Sequence, residues 1–355
     1  MLPDDTCTLN SDLIKAIRTG RIDTVKRLLI NKKIDPSAGD NRAILLASNK
    51  GNIEAVKLLL EDSRVDPSSG NNSAIKKAAE RGCTGIIKLL LADPRVDPSA
   101  DNNYAIRIAS ENRHTRTVKL LLEDKRTDPS TDDNYAIRIA SDKGNTEVVK
   151  LLLADPRVDP STKDNYSIRI ASDKGNTEVV RLLLADVRVD PSAKDNYAIT
   201  YASENGHADI IRLLLTDERV DPIMYTSTKN NYFIKNAVCN GNTYIVKLLL
   251  EDKETKLSSY DNDAIIYASV HGYIEIVKLL LDDKRIDPGA KDNQAIKCAS
   301  YIGHTDIVKL LLTDPRVNPA AGNNYAITCA SFHGHVKIVK LLAADPRVKA
   351  LQNIK

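Results

Sequence analysis

Histidine is the side chain in this sequence best suited to hold a metal ion. Four of the six histidines recur at one position of a repeating pattern, that of His114, His207, His304 and His335. A metal site needs ligands that converge on one point, whereas equal positions of a repeat are spread along the chain. We therefore expect these histidines to cap a helix or to bridge to the next repeat, and we expect no metal and no cofactor.

Catalytic motifs are absent from the sequence. It contains no G-x-x-x-x-G-K, no H-E-x-x-H and no G-x-S-x-G, the patterns that mark a phosphate-binding loop, a zinc protease and a hydrolase nucleophile. The many Asp and Arg residues recur with the repeat, which favours roles in turns and interfaces over paired catalytic acids. The sequence predicts a protein that is not an enzyme.

Four basic residues share one repeat position in consecutive repeats, and Thr200 ends the run. This basic stripe consists of Lys76, Arg107, Arg138 and Arg169. If equal positions line up, the stripe has the charge to bind nucleic acid or an acidic tail. The alternative is that each arginine bonds backbone carbonyls or an Asp in the adjacent turn, a task that suits its several donors. We favour this structural role, which makes nucleic acid the less favoured partner.

The two residues before the helix-ending glycine change character along the chain. In the middle repeats they are polar, as in Asp142-Lys143 and Asp173-Lys174. In the last three repeats they form what we call the aromatic patch: Val270, His271, Tyr301, Ile302, Phe332 and His333. Tyr201 and Tyr267, one helical turn earlier, extend it. Apolar side chains where solvent is expected indicate a site for a protein partner, and the alternative is local cover for the C-terminal end of the stack.

These residues are positioned by an internal repeat. Asn134 to Asp164 reads NYAIRIASDKGNTEVVKLLLADPRVDPSTKD, and the next 31 residues repeat it with four changes. A period between about 20 and 50 residues is typical of stacked repeat architectures. The asparagine that opens each unit recurs in steps of 31 residues, with one step of 35, at Asn41, Asn72, Asn103, Asn134, Asn165, Asn196, Asn231, Asn262, Asn293 and Asn324.

Each unit is predicted to form two short helices. Asn134 stands where an N-cap side chain would accept backbone N–H bonds, and Gly144 where a first helix would end in the left-handed conformation. The second helix opens at Asn145, and Pro156 follows its end. One such unit buries too few apolar side chains to be stable alone, so the units must stack.

The pattern Ile-x-x-Ala-Ser-x-x-Gly-Asn/His-x-Glu-Val-Val-Lys-Leu-Leu-Leu resembles the ankyrin repeat over almost the whole chain. The second helix and the Gly206-His207 and Gly303-His304 steps match well, whereas Tyr135 to Arg138 replaces the family's Thr-Pro-Leu-His. The shortened connection is similar to that of ankyrin proteins from giant DNA viruses of amoebae. The resemblance implies an all-α, ankyrin-type helix-turn-helix solenoid of about eleven stacked helix pairs with tight turns.

The same resemblance implies a function. Ankyrin proteins commonly bind a protein partner on their concave face, where the aromatic patch would lie. The chain is then expected to be a non-catalytic interaction scaffold, host-directed if viral. A further alternative is an adaptor that recruits a ubiquitin ligase, as some viral ankyrin proteins do.

The predicted organisation is a single solenoid domain with irregular segments. We expect an N-terminal capping repeat at 1–40, regular repeats at 41–221, an irregular repeat with a loop insertion at 222–261, C-terminal repeats at 262–342 and a C-terminal cap at 343–355. Arg113 replaces the helix-ending glycine of its repeat, which costs about 1 kcal/mol if the left-handed conformation is kept.

Charge and composition indicate which partners and which cellular compartment to expect. The net charge of +3 is small for 355 residues and does not indicate binding to an acidic membrane or to nucleic acid. Five scattered cysteines fit a reducing compartment, the N-terminus lacks a secretory apolar segment, and no apolar run approaches the ~20 residues of a membrane span. We expect a monomer in the cytoplasm, that of the host cell if the protein is viral.

Overall fold

The computed structural model of the chain describes residues 5–220, 232–251 and 262–352. Within these residues the regular structure is entirely helical, without a β-strand. The helices have the following bounds: α1 Asp5–Arg18, α2 Ile22–Ile30, α3 Ala38–Lys50, α4 Ile53–Leu60, α5 Ser69–Glu80, α6 Thr84–Leu91, α7 Ala100–Glu111, α8 Thr115–Glu123, α9 Thr131–Asp142, α10 Thr146–Leu153, α11 Thr162–Asp173, α12 Thr177–Leu184, α13 Ala193–Glu204, α14 Ala208–Leu215, α15 Tyr232–Cys239, α16 Thr243–Glu251, α17 Asn262–His271, α18 Ile274–Asp282, α19 Ala290–Ile302, α20 Thr305–Leu312, α21 Ala321–Phe332, α22 Val336–Ala344 and α23 Pro346–Gln352.

The helices alternate between two layers in each of two compact units, Met1–Asp190 and Pro191–Lys355. Within each unit the odd-numbered first helices of the repeats pack on one another in order, and the even-numbered second helices do the same. The described residues form eleven helix pairs followed by α23. The predicted all-α architecture of stacked helix pairs is therefore confirmed.

The core of each repeat is aliphatic and follows the predicted spacing. In the repeat of α9 and α10, the first helix buries Ile137 and Ala140, and the second buries Val148, Val149 and Leu152. Small residues on the first helix let the neighbouring first helices approach closely. Burial of this stripe between layers is the main source of stability for helices of only eight to twelve residues.

The first helix begins differently from the prediction. Asp132, Asp133 and Asn134 all have left-handed backbone angles, with φ of 57°, 53° and 58°, so the regular right-handed turns start after them. The Asn134 side chain does not cap the helix. Its Oδ1 instead accepts a hydrogen bond from the N–H of Asp159 at 2.8 Å, in the connection to the next repeat. The N-cap assignment was wrong because the asparagine ties two connections together.

The end of the first helix agrees with the prediction. Gly144 has φ +66°, and a Cβ there would lie 2.6 Å from Oδ1 of Asn176 in the next repeat. Glycine is thus favoured by both the left-handed backbone and the close approach of the next repeat. Arg113 keeps the left-handed conformation, with φ 62°, and its Nε donates to Oδ1 of Asn145 at 2.8 Å.

An arginine in the connection after α10 joins that repeat to the one before it. Arg157 forms two bonds with the carboxylate of Asp155, at 2.9 and 2.6 Å, and also donates to the carbonyls of Thr127 at 2.8 Å and Leu122 at 2.9 Å. The Arg157 guanidinium holds the pKa of Asp155 below its usual value through these bonds. Equivalent ion pairs follow α4, α6, α8, α12, α14, α18, α20 and α22.

We call such an arginine, with its paired carboxylate and the carbonyls that it bonds, an arginine clip; the connections that carry it are short. The predicted tight turn is confirmed, since only a few residues separate α10 from the left-handed turn that follows it. At the C-terminal end α23 packs against α21 and α22 and buries Val348, in the segment predicted to be a cap. In the predicted irregular repeat, residues 222–231, where the loop insertion was expected, and residues 252–261 lie outside the described residues, and the domain boundaries stay a prediction.

Candidate functional site

The repeated histidines fix the corner between the two helices of each repeat. His114 Nε2 lies 2.9 Å from the carbonyl oxygen of Glu80, and His335 Nε2 lies 3.0 Å from that of Tyr301. Each imidazole therefore bridges to the preceding repeat, and His114 and His335 make no side-chain cap of their own helix. Asn145 takes the same role in its repeat and donates to the carbonyl of Ser110 at 2.7 Å. A bridge was predicted, but in the direction of the next repeat.

The aromatic patch is exposed in the last two repeats. Tyr301 is 50% and Phe332 is 86% exposed, and Ile302 is exposed beside Tyr301. The ring of His333 lies between the two aromatic rings, with its centroid 4.4 Å from that of Tyr301 and 5.1 Å from that of Phe332. The structure thus brings residues from α19 and the end of α21 into one contiguous apolar surface.

The patch continues less strongly towards α17. His271 is exposed, and its Nδ1 lies 2.9 Å from the carbonyl oxygen of Tyr267. Val270 and Tyr267 are half-buried. Tyr201 is also half-buried, and its ring stacks on that of Tyr197 at a centroid distance of 3.9 Å. Tyr301, Phe332 and His333 are therefore the centre of the candidate site.

Residues next to the patch were missed by the sequence comparison. Val336, at the start of α22, is 62% exposed and follows the His335 that bonds to Tyr301. In the regular repeats this position is Thr146 or Thr177. The signal was present in the sequence, because an apolar residue replaces a polar one just as it does at Phe332.

The basic stripe is bonded to its own repeats. Arg138 donates through Nε to the carbonyl of Asp133 at 2.9 Å and through Nη2 to that of Asp132 at 2.8 Å. Arg169 makes the corresponding pair of bonds, to the carbonyls of Asp164 and Lys163 at 2.8 and 3.0 Å. These arginines hold the left-handed turns through backbone carbonyls, as the structural interpretation expected.

Aromatic rings separate the members of the stripe. The Arg107 guanidinium lies 5.3 Å from the ring centroid of Tyr135, and Arg138 lies 5.6 Å from the same centroid. Carboxylates also compensate the charge, since Arg107 pairs with Asp132 at 3.5 Å and Lys76 with Asp101 at 3.3 Å. Stacking on tyrosine rings and pairing with carboxylates thus leave the stripe with fewer free positive charges for a phosphate backbone to bind.

Comparison with known proteins decides the family. The family profile described as "Ankyrin repeats (3 copies)" matches residues 13–102, 77–164, 137–224 and 200–292, which together span most of the chain. The chain belongs to the ankyrin-repeat family. Among solved structures, an ankyrin repeat family protein from Legionella pneumophila is similar at 16% identity, covering 87% of this chain and 79% of that one with a TM-score of 0.27. No curated protein matches the chain.

Membership of the ankyrin-repeat family indicates protein–protein interaction in general terms, and ankyrin-repeat proteins are typically non-enzymatic. In the described ranges no group of three or more His, Cys, Asp or Glu side chains is placed to hold a metal ion. Burial raises the pKa of the Cys83 thiol, which disfavours a reactive thiolate there. None of the helices that the structure describes is long and apolar enough to cross a membrane.

Proposed function

We propose that this ankyrin-repeat protein is a non-catalytic scaffold that binds a protein partner through the aromatic patch. The observation that supports the proposal is the exposure of Tyr301 and Phe332 at the repeat position that holds Asp142 in a regular repeat. Large aromatic side chains are frequent anchors of interfaces. A rigid stack of repeats presents them already ordered, so little conformational entropy is lost on binding.

The setting of the scaffold is proposed from its resemblance to the giant-virus ankyrin proteins. The partner would then be a host protein, the compartment the host cytoplasm, and the chain a monomer. Recruitment of a ubiquitin ligase is one outcome of the same interaction.

Capture of the native partner tests the proposal. The Tyr301→Ser/Phe332→Ser double variant is expected to lose at least about nine-tenths of the partner recovered by affinity capture and mass spectrometry, since anchor residues dominate binding. Asp142→Ser/Asp173→Ser changes the same repeat position in regular repeats and is the matched control. Equal recovery with the double variant and the wild-type protein, at unchanged helicity, would contradict the proposal.

Nucleic acid is the weaker candidate. Arg138 and Arg169 of the basic stripe already bond backbone carbonyls, and Lys76 and Arg107 lie near carboxylates. A filter-binding titration is expected to give a slope of log K against log salt near zero, because few phosphates would be neutralised.

A further inference from the structure

The last repeat differs from the others in charge as well as in apolar surface. From Pro315 to Gln352 the sequence holds five Lys and Arg residues but a single acidic residue, Asp345. That carboxylate is already paired with Arg347 at 2.7 Å. Lys337 stands where the regular repeats have Glu147 or Glu178, and Phe332 stands where they have Asp. The repeat whose aromatic side chain is the most exposed of the patch therefore keeps a single acidic residue, which is already paired.

Two of these lysines lie on α22, the helix that begins beside the aromatic patch. His335 joins the start of α22 to the patch through its bond to the carbonyl of Tyr301 at 3.0 Å. Lys340 follows Lys337 by three residues and Val336 by four, so it shares an exposed face of α22 with both. Neither ammonium group has an ion pair among the residues that the structure describes. Asp306 lines the same surface depression as Lys337.

The spacing of the patch indicates the shape of a partner. Val270, Tyr301 and Phe332 occupy one position on α17, α19 and α21, which pack in order. Packed helices lie about 8–10 Å apart, and seven residues of an α-helix rise about 10.5 Å. A helix laid along the patch would meet one of these side chains with every seventh residue. A β-strand turns successive side chains to opposite faces at about 3.3 Å per residue, which fits this interval poorly.

We propose that the aromatic patch, together with Lys337 and Lys340, binds an acidic amphipathic helix of a partner protein. Apolar residues at heptad spacing would contact Val270, Tyr301 and Phe332, and carboxylates along one edge of the helix would pair with the two lysines. This inference rests on the proposed function and specifies the partner of the same site. An anionic membrane offers the same charge but not the spacing, and two lysines alone attract it weakly.

Selection from a peptide library tests the proposal directly. The probe is a displayed library of helix-forming peptides of about 21 residues, three heptads in length, selected on the full-length protein. Enriched peptides are expected to be acidic, with apolar residues at positions i, i+7 and i+14. Fluorescence anisotropy of the most enriched peptide should show at least about tenfold weaker binding to Lys337→Glu/Lys340→Glu at low salt, because like charges then face each other.

The chain provides a matched control for this charge reversal. Arg116 and Lys119 occupy the same two repeat positions in α8 and are exposed, but the two residues before the helix-ending position there are the polar Glu111 and Asn112. Arg116→Glu/Lys119→Glu therefore makes the same change in net charge away from the patch. It should leave binding within about twofold of wild type, as expected for a charge outside the interface. A peptide with its acidic residues changed to Lys should bind the Lys337→Glu/Lys340→Glu variant.

Three results would overturn the inference. Enriched peptides that need Tyr301 and Phe332 but show no acidic bias would remove the charge assignment and leave the proposed function intact. Equal weakening by both charge reversals would indicate unspecific attraction. Binding to phosphatidylserine vesicles that depends on Phe332 and Lys337, without enrichment of any peptide, would assign the surface to a membrane. The proposed function is tested separately by capture of the native partner, where equal recovery with Tyr301→Ser/Phe332→Ser and the wild-type protein would contradict it.

Discussion

The arginine clip between repeats gives the sharpest stability prediction. Replacing Arg157 by Ala removes its bonds to the carbonyls of Thr127 and Leu122, at 2.8 and 2.9 Å, and the ion-pair partner of the Asp155 carboxylate, which keeps its bond from the backbone N–H of residue 157. A hydrogen bond from a charged donor contributes about 1.5–3 kcal/mol. The Arg157 side chain is 36% exposed, so the lower value is appropriate. The expected loss in free energy of unfolding is about 3 kcal/mol.

Urea denaturation followed by far-UV circular dichroism measures this loss, and hydrogen exchange of α8 and α10 locates it. Arg181→Ala is the matched control, because Arg181 is 56% exposed and its nearest ion pair is with Glu178 at 3.4 Å on the same helix. That variant should change stability by less than about 0.5 kcal/mol. Arg157→Lys keeps the charge but not the forked geometry, and should recover less than half of the loss. A loss below about 1 kcal/mol for Arg157→Ala would refute the role of the clip.

Three further changes test the framework. Because Arg157 lowers the pKa of Asp155, the pair stabilises the fold above the unfolded carboxyl pKa of about 3.9 and loses that contribution as pH falls through the lower folded value. Acid titration followed by circular dichroism should therefore show unfolding of the wild-type protein below about pH 4. The Asp155→Asn variant should unfold at a higher pH than the wild type. The buried hydroxyl of Ser141 has no hydrogen-bond partner among the described residues, so Ser141→Ala should raise the free energy of unfolding by about 1 kcal/mol. A lower free energy of unfolding for this variant in urea denaturation would mean that the hydroxyl is bonded. Gly144→Ala adds a contact of 2.6 Å to the strain of a left-handed backbone, whereas the new Cβ of Gly334→Ala has nothing within 4 Å. Gly144→Ala should therefore lower the melting temperature more than Gly334→Ala, which has only the backbone cost of ~1 kcal/mol.

The sequence predicted the parts of the fold that have a local cause. The helix ending at Gly144 follows from a residue that tolerates positive φ, and the helix pairs follow from the apolar period. The left-handed run at Asp132 and Asp133 was missed because neither residue is glycine, and it is held by a bond from the distant Asp159 to Asn134. Tertiary contacts of this kind are invisible to a local pattern.

The candidate site was predictable where it departs from the repeat. Tyr301 and Phe332 stood out because polar residues occupy their position in regular repeats, and the structure places both rings against His333. Val336 and Lys337 were not predicted, because they follow the helix-ending glycine and the prediction used only the two residues before it. The partners of Arg157 lie 30 and 35 residues away, a connection that only the stacked structure reveals.

The positions that vary are those that contribute least to stacking. In a regular repeat, Asp142 pairs with Lys143 of its own helix end at 3.8 Å, an exposed pair worth less than about 1 kcal/mol. Arg157 and Asn145, by contrast, donate to carbonyls of the preceding repeat. An aromatic residue can therefore replace Asp at the first position with little loss, whereas changes at the other two weaken an interface. This difference in cost explains how a chain of nearly identical repeats can carry a binding surface on some of them and keep one fold throughout.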